Sequence, residues 1–352
     1  MYERFYGLRE RPFDLTPNPR FLYLTGGHAE ALSNLQYGIT GRKGMTLLIG
    51  EAGTGKTTLV RAAIDAVAGP SVRCVYLNNP VLTREEFYEF LARKFELSAE
   101  AAASKARFLF ELEAYLAERH RAGGLTALVI DEAQSLPHEL LEEVRLLANF
   151  ETETDKLLPV VLAGQPELAA RLEHERLRQL KQRVALRCDL APLDARETAS
   201  YISGRIAIAG GDASKVFTRE AVQVVYERSG GIPRTISVIC DNALLNGFAV
   251  GVKPVGSPVV LEVCRDFRLP QFRTADLDVR GQKEEEEASA EAAAVEAAAE
   301  PEPVRAAARG DGRVRPPREE NDERAVRPKR VDRPDRGLFS HYSKKKRFRF
   351  FG

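Results

Sequence analysis

The chain has 352 residues, 44% of them hydrophobic, and its 52 Lys and Arg against 51 Asp and Glu leave a formal charge of +1. That length and apolar content support a sizeable core and two or three domains. The near-balance of charge excludes a whole-chain electrostatic case for nucleic acid or membrane, so any such case must come from a local segment.

The four cysteines, Cys74, Cys188, Cys240 and Cys264, stand far apart with no CxxC spacing and no His at metal-ligand distance along the chain. This argues against a zinc site and against a disulfide framework, and fits thiols kept in a reducing cytosol. The opening MYERFYGLRERPF carries no apolar run behind its charges, so it does not read as a secretory leader. Nowhere do about 18 apolar residues run together, the length a membrane helix needs. The expected location is the cytoplasm.

Along the chain, short apolar runs of strand length alternate with longer amphipathic stretches, the pattern of a parallel sheet covered by helices in the α/β class. Strands are predicted at Thr46–Ile49, Arg73–Leu77, Ala127–Ile130, Pro159–Ala163 and Val184–Leu190. Helical spacing of Phe108, Leu109, Leu112, Tyr115 and Leu116 predicts a helix over Lys105–His120, and Leu140, Val144 and Leu147 predict another over Glu139–Ala148. A nucleotide-binding α/β domain is thus expected over residues 41–192. From Asp194 to about Phe267 no strand signal recurs and three or four helical segments succeed one another, so residues 193–268 are expected to form a small helical lid. Near residue 271 the composition changes to Glu, Ala, Arg and Pro, and residues 269–352 read as a disordered tail. No internal repeat is found.

The strand TLLI runs into Gly50, Glu51, Ala52, Gly53, Thr54, Gly55, Lys56 and Thr57, a GxxxxGK[ST] loop continued from Thr58 by the helical TLVRAAIDAVAG. Glycines let successive backbone N–H groups turn inward around phosphate oxygens, and the helix behind the loop adds its positive end. In this pattern Lys56 reaches the β- and γ-phosphates of ATP and Thr57 ligates Mg2+. Further on, Ala127–Ile130 ends in Asp131 and Glu132, two carboxylates at the carboxyl end of a buried strand, where open α/β sheets take ligands. Asp131 holds the magnesium through water in this reading, and Glu132 polarises the attacking water. Asp131 to Gln134 also spells a helicase-like box. A helicase needs a second sheet-bearing domain, however, and the residues after Leu190 read as helices.

After the fourth predicted strand, Gln165 stands where a γ-phosphate sensor would sit, or serves as a cap or turn residue. Arg183 precedes the fifth strand, with Arg178 and Arg187 competing for the same role, and Arg234 comes after GGIP at the start of a lid helix. Arginines at these places supply positive charge to a leaving phosphate once the right assembly forms.

Six segments together are recognisable: FYGLRERPFDLTPNPRFLYLTGGHAEALSNLQYGI, GEAGTGKTTL, VIDEAQSL, LAGQPEL, LKQRVALRCDLAPL and GGIPR. In this order they resemble the ExeA/GspA family of AAA+ ATPases, which is similar to MshM-type pilus ATPases and to ATPases beside exosortase and exopolysaccharide systems. The resemblance covers residues 1–268. It implies a P-loop AAA+ three-layer sandwich with a five-stranded parallel sheet, hydrolysis of ATP with Mg2+, and a homo-oligomer for which a ring is the expected form. It further implies support of secretion, pilus assembly or polysaccharide export. Position by position it makes Lys56 and Thr57 the Walker A pair, Asp131 and Glu132 Walker B, Gln165 the first sensor, Arg183 the arginine finger and Arg234 the second sensor. The segment 1–40, around Pro12, Phe13 and His28, matches the part that packs near the nucleotide. Longer members continue into a membrane helix and a peptidoglycan-binding domain, and neither is legible here. In their place Lys344 to Phe351 mixes cations with aromatics, a composition suited to the inner-membrane surface or to an acidic partner, and equally to a solvated end. A DNA-binding regulator of the transposition or initiator type shares the core and stays open, as does a nucleotide-gated scaffold with negligible turnover.

Overall fold

The computed structural model describes residues 1–15, 19–21, 23–78 and 80–272. The expected disordered tail, with its acidic stretch and the basic Lys344 to Phe351, lies outside the described residues.

Five strands form one parallel sheet: β1 (Met45–Gly50), β2 (Val72–Leu77), β3 (Leu125–Ile130), β4 (Val160–Gly164) and β5 (Val184–Leu190), in the order β2-β3-β4-β1-β5. Each predicted strand is found within two residues of its expected ends. At β4 the start moves from Pro159 to Val160. Pro159 has no N–H to give the ladder, although its carbonyl accepts from Leu128 N–H at 2.9 Å.

Side-chain alternation along the strands divides the core into two layers. Leu47, Ile49, Leu128, Ile130, Val160 and Leu162 face the helices Arg84–Phe95, Lys105–Arg121 and His138–Leu147. Leu48, Ala127, Val129, Val161 and Ala163 face Gly26–Thr40 and Lys56–Val67. Phe87, Phe95 and Phe108 are fully buried in the first layer, each contributing about 1.5–3 kcal/mol of transfer free energy. Residues that set helix starts are local in sequence: Thr83 with Glu86, and Asp194 with Glu197, each form a reciprocal capping box.

After β5 come the helices Ala195–Ile208, Ala213–Val216, Arg219–Ser229, Pro233–Ala249 and Ser257–Asp266. One more is present than the highest count expected, because the four-residue Ala213–Val216 is too short to leave a periodicity. Their core takes in Tyr2, Tyr6, Leu8, Phe13 and Phe21 from the start of the chain. The first forty residues therefore contribute to two cores: Tyr2, Tyr6, Leu8, Phe13 and Phe21 pack among the helices after β5, and Gly26–Thr40 packs on the sheet.

A buried carboxylate ties three helices of the first layer together. Glu143 is 4% exposed and accepts from Lys105 Nζ at 2.7 and 2.9 Å, from Arg84 and from the Tyr88 hydroxyl. Burial pushes its carboxyl pKa up, but the hydrogen bonds from Lys105 and Tyr88 and the charges of Lys105 and Arg84 outweigh burial and leave it lowered. A carboxylate lowered on folding stabilises the fold fully above its unfolded value, about 4.3, and the contribution is lost as pH falls through the folded value. Urea unfolding measured from pH 7 to 3 should therefore show an acid loss of stability that is smaller in Glu143→Gln. Identical acid limbs in the two proteins would disprove this.

Candidate functional site

β1 delivers the glycine-rich loop to the carboxyl edge of the sheet. Gly53 and Gly55 adopt φ of +86° and +107°, the left-handed region open to glycine, and this turns the loop back into the helix Lys56–Val67. Lys56 is 5% exposed. Its ammonium donates to the carbonyls of Gly50 at 2.7 Å and Glu51 at 3.0 Å. Burial pushes its pKa down, opposed by the charges of Glu132, Asp131 and Glu51. A desolvated cation held only by neutral carbonyls is poised to accept an anion.

Asp131 is fully buried at the end of β3. One oxygen, Oδ2, accepts from Thr57 Oγ1 at 2.7 Å and from the Tyr76 hydroxyl at 2.9 Å, while Oδ1 accepts from Glu132 N–H at 2.9 Å. Burial and Asp131 push the Tyr76 phenol up to about 12, so it remains a donor. Thr57 and Asp131 present hard oxygens side by side, and no cluster of three or more His, Cys, Asp or Glu forms among the described residues. Such a donor set fits Mg2+ carried largely by phosphates and water rather than by a protein cage.

Glu132 takes φ of +53°, strained for a side chain and therefore held by its surroundings. Its Oε2 accepts from Gln134 Nε2 at 2.6 Å and from Gln165 Nε2 at 3.3 Å. Because β4 lies between β3 and β1, Gln165, the residue directly after β4, stands at the edge shared by the loop and the acidic pair.

A cavity of about 350 Å³ lies over the loop, lined by Gly53 to Leu59 and Glu132 on one side and by Arg234, Tyr201 and Phe21 on others. The helix Pro233–Ala249 reaches the loop through Arg234 N–H, which donates to Gly53 O at 3.2 Å. A Cβ on Gly53 would stand 2.9 Å from Arg234 Cβ and 3.0 Å from Ile232 Cγ2, so this contact requires glycine. From the amino-terminal side, buried His28 donates through Nε2 to Thr54 O at 3.0 Å, while its Nδ1 accepts from Thr25 Oγ1 at 2.8 Å. The Thr54 carbonyl can only accept, which fixes the Nε2–H tautomer.

Lys56, Thr57, Thr58, Gly53, Thr54, Gly55, Glu132 and Arg234 thus converge on one cavity, with Asp131 beneath it. Gly50 and Glu51 serve the site through their carbonyls, and Ala52 is exposed beside it. Gln165 reaches the site only through Glu132. Arg183 is exposed at the amino end of β5, next to Val184, which pairs with Met45. The loop leaves the other end of β1, so Arg183 is remote from the cavity of its own chain. Sequence reasoning does not single out Tyr76, Gln134 or the cavity-lining Tyr201 and Arg205. Strand pairing brings Tyr76 to Asp131, and Gln134 carries a signal only as the last letter of the acidic box.

A family model described as an AAA domain matches residues 39–172. "General secretion pathway protein A" of Aeromonas hydrophila is 41% identical over 252 residues, which are 71% of this chain and 46% of that relative, so the chain spans about half the relative's length. Among solved structures, the ORC2 protein of Aeropyrum pernix shares the fold at a TM-score of 0.55 and 19% identity, covering 76% of this chain and 74% of that one. Cdc6p of Pyrobaculum aerophilum does so at 0.53 and 19%, covering 68% and 66%. Among the described residues no helix is long and apolar enough to cross a membrane. The five-stranded parallel sheet, the loop at its carboxyl edge and the family match show an AAA domain, in a chain that is similar over 252 of its residues to General secretion pathway protein A.

Proposed function

We propose that the chain binds ATP with Mg2+ and hydrolyses it to ADP and phosphate, driving or switching a bacterial envelope system. The observation that carries this reading is the convergence of buried Lys56, the Thr57–Asp131 pair and Glu132 on one cavity under a helical lid. Among envelope systems the name of the 41% identical relative supports secretion, while pilus assembly and polysaccharide export rest on the sequence resemblance alone. The likeness to ORC2 and Cdc6p is one of fold at 19% identity and brings no partner with it.

In this mechanism the N–H groups of Gly53 to Thr58 and the Lys56 ammonium hold the triphosphate. Thr57 and Asp131 would hold Mg2+, which when bound would neutralise phosphate charge. Water attacks the γ-phosphorus as the bond to the β-phosphate oxygen breaks, and the Glu132 carboxylate takes the water proton and returns it to the released phosphate. Gln165 senses the γ-phosphate and Arg234 brings the lid's charge to it. Arg183, being remote from its own cavity, acts on the site of a neighbouring copy, which makes the working unit a homo-oligomer. The cytoplasmic face of the inner membrane is the natural place for such a motor.

Phosphate release from ATP by the full chain in magnesium buffer tests the activity, and a folded chain that neither retains nor cleaves ATP removes it. For the finger, an inactive Arg183→Ala protein mixed with an inactive Lys56→Ala protein should regain phosphate release, since each supplies what the other lacks. No recovery at any ratio would remove the assignment of Arg183.

A further inference from the structure

Gln134 is tied more tightly than a loop residue beside an acidic box needs to be. Its carbonyl accepts from Arg171 Nη1 at 2.6 Å, and Arg171 Nη2 donates to Leu136 O at 2.8 Å, so a guanidinium fork fixes the backbone of this turn to the helix Pro166–Leu172. The side chain is fixed separately. Its Oε1 accepts from Gln165 N–H at 3.1 Å, which leaves Nε2 to donate to Glu132 Oε2 at 2.6 Å. With the amide reversed, Nε2 would face an N–H and Oε1 would face a carboxylate, two repulsions in place of two bonds. Gly164 keeps the approach open: a Cβ there would stand 3.1 Å from Gln134 Oε1 and 2.6 Å from Leu168 Cδ2.

We infer that Gln134 is a positioning residue for hydrolysis, locking the carboxylate of Glu132 to the tip of β4 through one amide whose acceptor end is held by Gln165 N–H and whose donor end holds Glu132. This inference rests on the ATPase reading. The strained backbone of Glu132 is fixed by Asp131 on one side, and Gln134 fixes the side chain beyond it. Oε2 is thereby engaged, which leaves Oε1 to take the water proton in the proposed mechanism. Asn at this position is one methylene too short to span both partners, and Glu supplies the acceptor for Gln165 N–H but no donor for Glu132.

That difference gives the test. In the full chain, Gln134→Glu retains the bond to Gln165 N–H and puts a carboxylate against Glu132, whereas Gln134→Met keeps the volume and removes both bonds. Both variants should lower kcat about 10- to 100-fold, the cost of misplacing a reacting group by about an ångström. Affinity for a fluorescent ATP analogue should stay within about threefold of the unaltered chain, because the hydrogen bonds of Gln134 go to Glu132, Gln165 and Arg171 rather than to the phosphate loop. Unaltered kcat in Gln134→Glu overturns the inference, as does a fall in kcat matched by an equal fall in nucleotide affinity. Absence of turnover in the unaltered chain removes the ATPase reading and this inference with it, while full turnover in the variants removes the inference alone.

Discussion

Glu132→Gln should abolish most phosphate release, lowering kcat by about 10²- to 10⁴-fold, the range supplied by a positioned general base. The substitution is close to isosteric, and the network around it survives. A glutamine oxygen at the Oε2 position still accepts from Gln134 Nε2 and Gln165 Nε2, and the backbone N–H still donates to Asp131 Oδ1. What disappears is the negative charge that takes the water proton. Lys56 keeps its bonds to the Gly50 and Glu51 carbonyls and Thr57 its bond to Asp131, so ATP affinity should remain within a few-fold and an ATP-loaded assembly should accumulate. Single-turnover phosphate release and binding of a fluorescent ATP analogue, measured on the same preparation, check both halves. Loss of binding as large as the loss of turnover would contradict the role given to Glu132.

Lys56→Ala should act on the opposite quantity. The ammonium loses only two neutral carbonyl contacts in the chain itself, those to Gly50 and Glu51, but its removal takes away the buried cation that meets the phosphates. Charge-assisted hydrogen bonds are worth about 1.5–3 kcal/mol each, so ATP affinity should fall at least about 10- to 100-fold. The fold itself should not suffer in proportion. Burial leaves the Lys56 pKa lowered despite nearby carboxylates, which means that folding disfavours the charged form. For a lysine lowered on folding that cost is present at neutral pH and eases only as pH rises through the folded value. Without nucleotide, Lys56→Ala should therefore melt at or above the temperature of the unaltered chain. Adding Mg-ATP should raise the melting temperature of the unaltered chain and leave the variant where it was. A variant that melts well below the unaltered chain without nucleotide would show that Lys56 is chiefly structural.

The two variants separate because the residues come from different strand ends. Lys56 opens the helix behind the turn after β1 and Glu132 belongs to the turn after β3, with β4 between these strands. Their meeting depends on the strand order. The glycine loop is readable in sequence because a phosphate cradle is local: its eight residues make their own backbone curl, and Gly53 and Gly55 take the positive φ that the turn requires. Asp131 and Glu132 are legible because a buried apolar strand running directly into two carboxylates is also a local pattern.

Other parts of the site carry no such local mark. Tyr76 reads as one more aromatic residue of β2, and only its pairing with β3 brings the hydroxyl to Asp131. His28 and Thr54 are 26 residues apart, and nothing in either segment announces their bond. The first forty residues read as one unit, yet Tyr2, Tyr6, Leu8, Phe13 and Phe21 complete the core of the helices after β5 while Ala31, Leu35 and Ile39 complete the sheet core. Arg183 looks equivalent to Arg178 and Arg187 by composition, and the parallel register places it at the far end of the sheet from its own loop.

The sequence by itself determined the five-stranded parallel sheet, the phosphate loop and the acidic strand end, because hydrophobic period, glycine conformation and strand-end carboxylates are properties of short contiguous stretches. Only the tertiary structure decided which groups hold those residues: Tyr76 on Asp131, Gln134 and Gln165 on Glu132, His28 on Thr54 and Arg234 on Gly53. Gln134 and Glu132 lie two residues apart in one turn; each of the other contacts joins segments whose approach is set by strand order and helix packing, and a hydrogen bond of about 3 Å exists only where that packing brings donor and acceptor together.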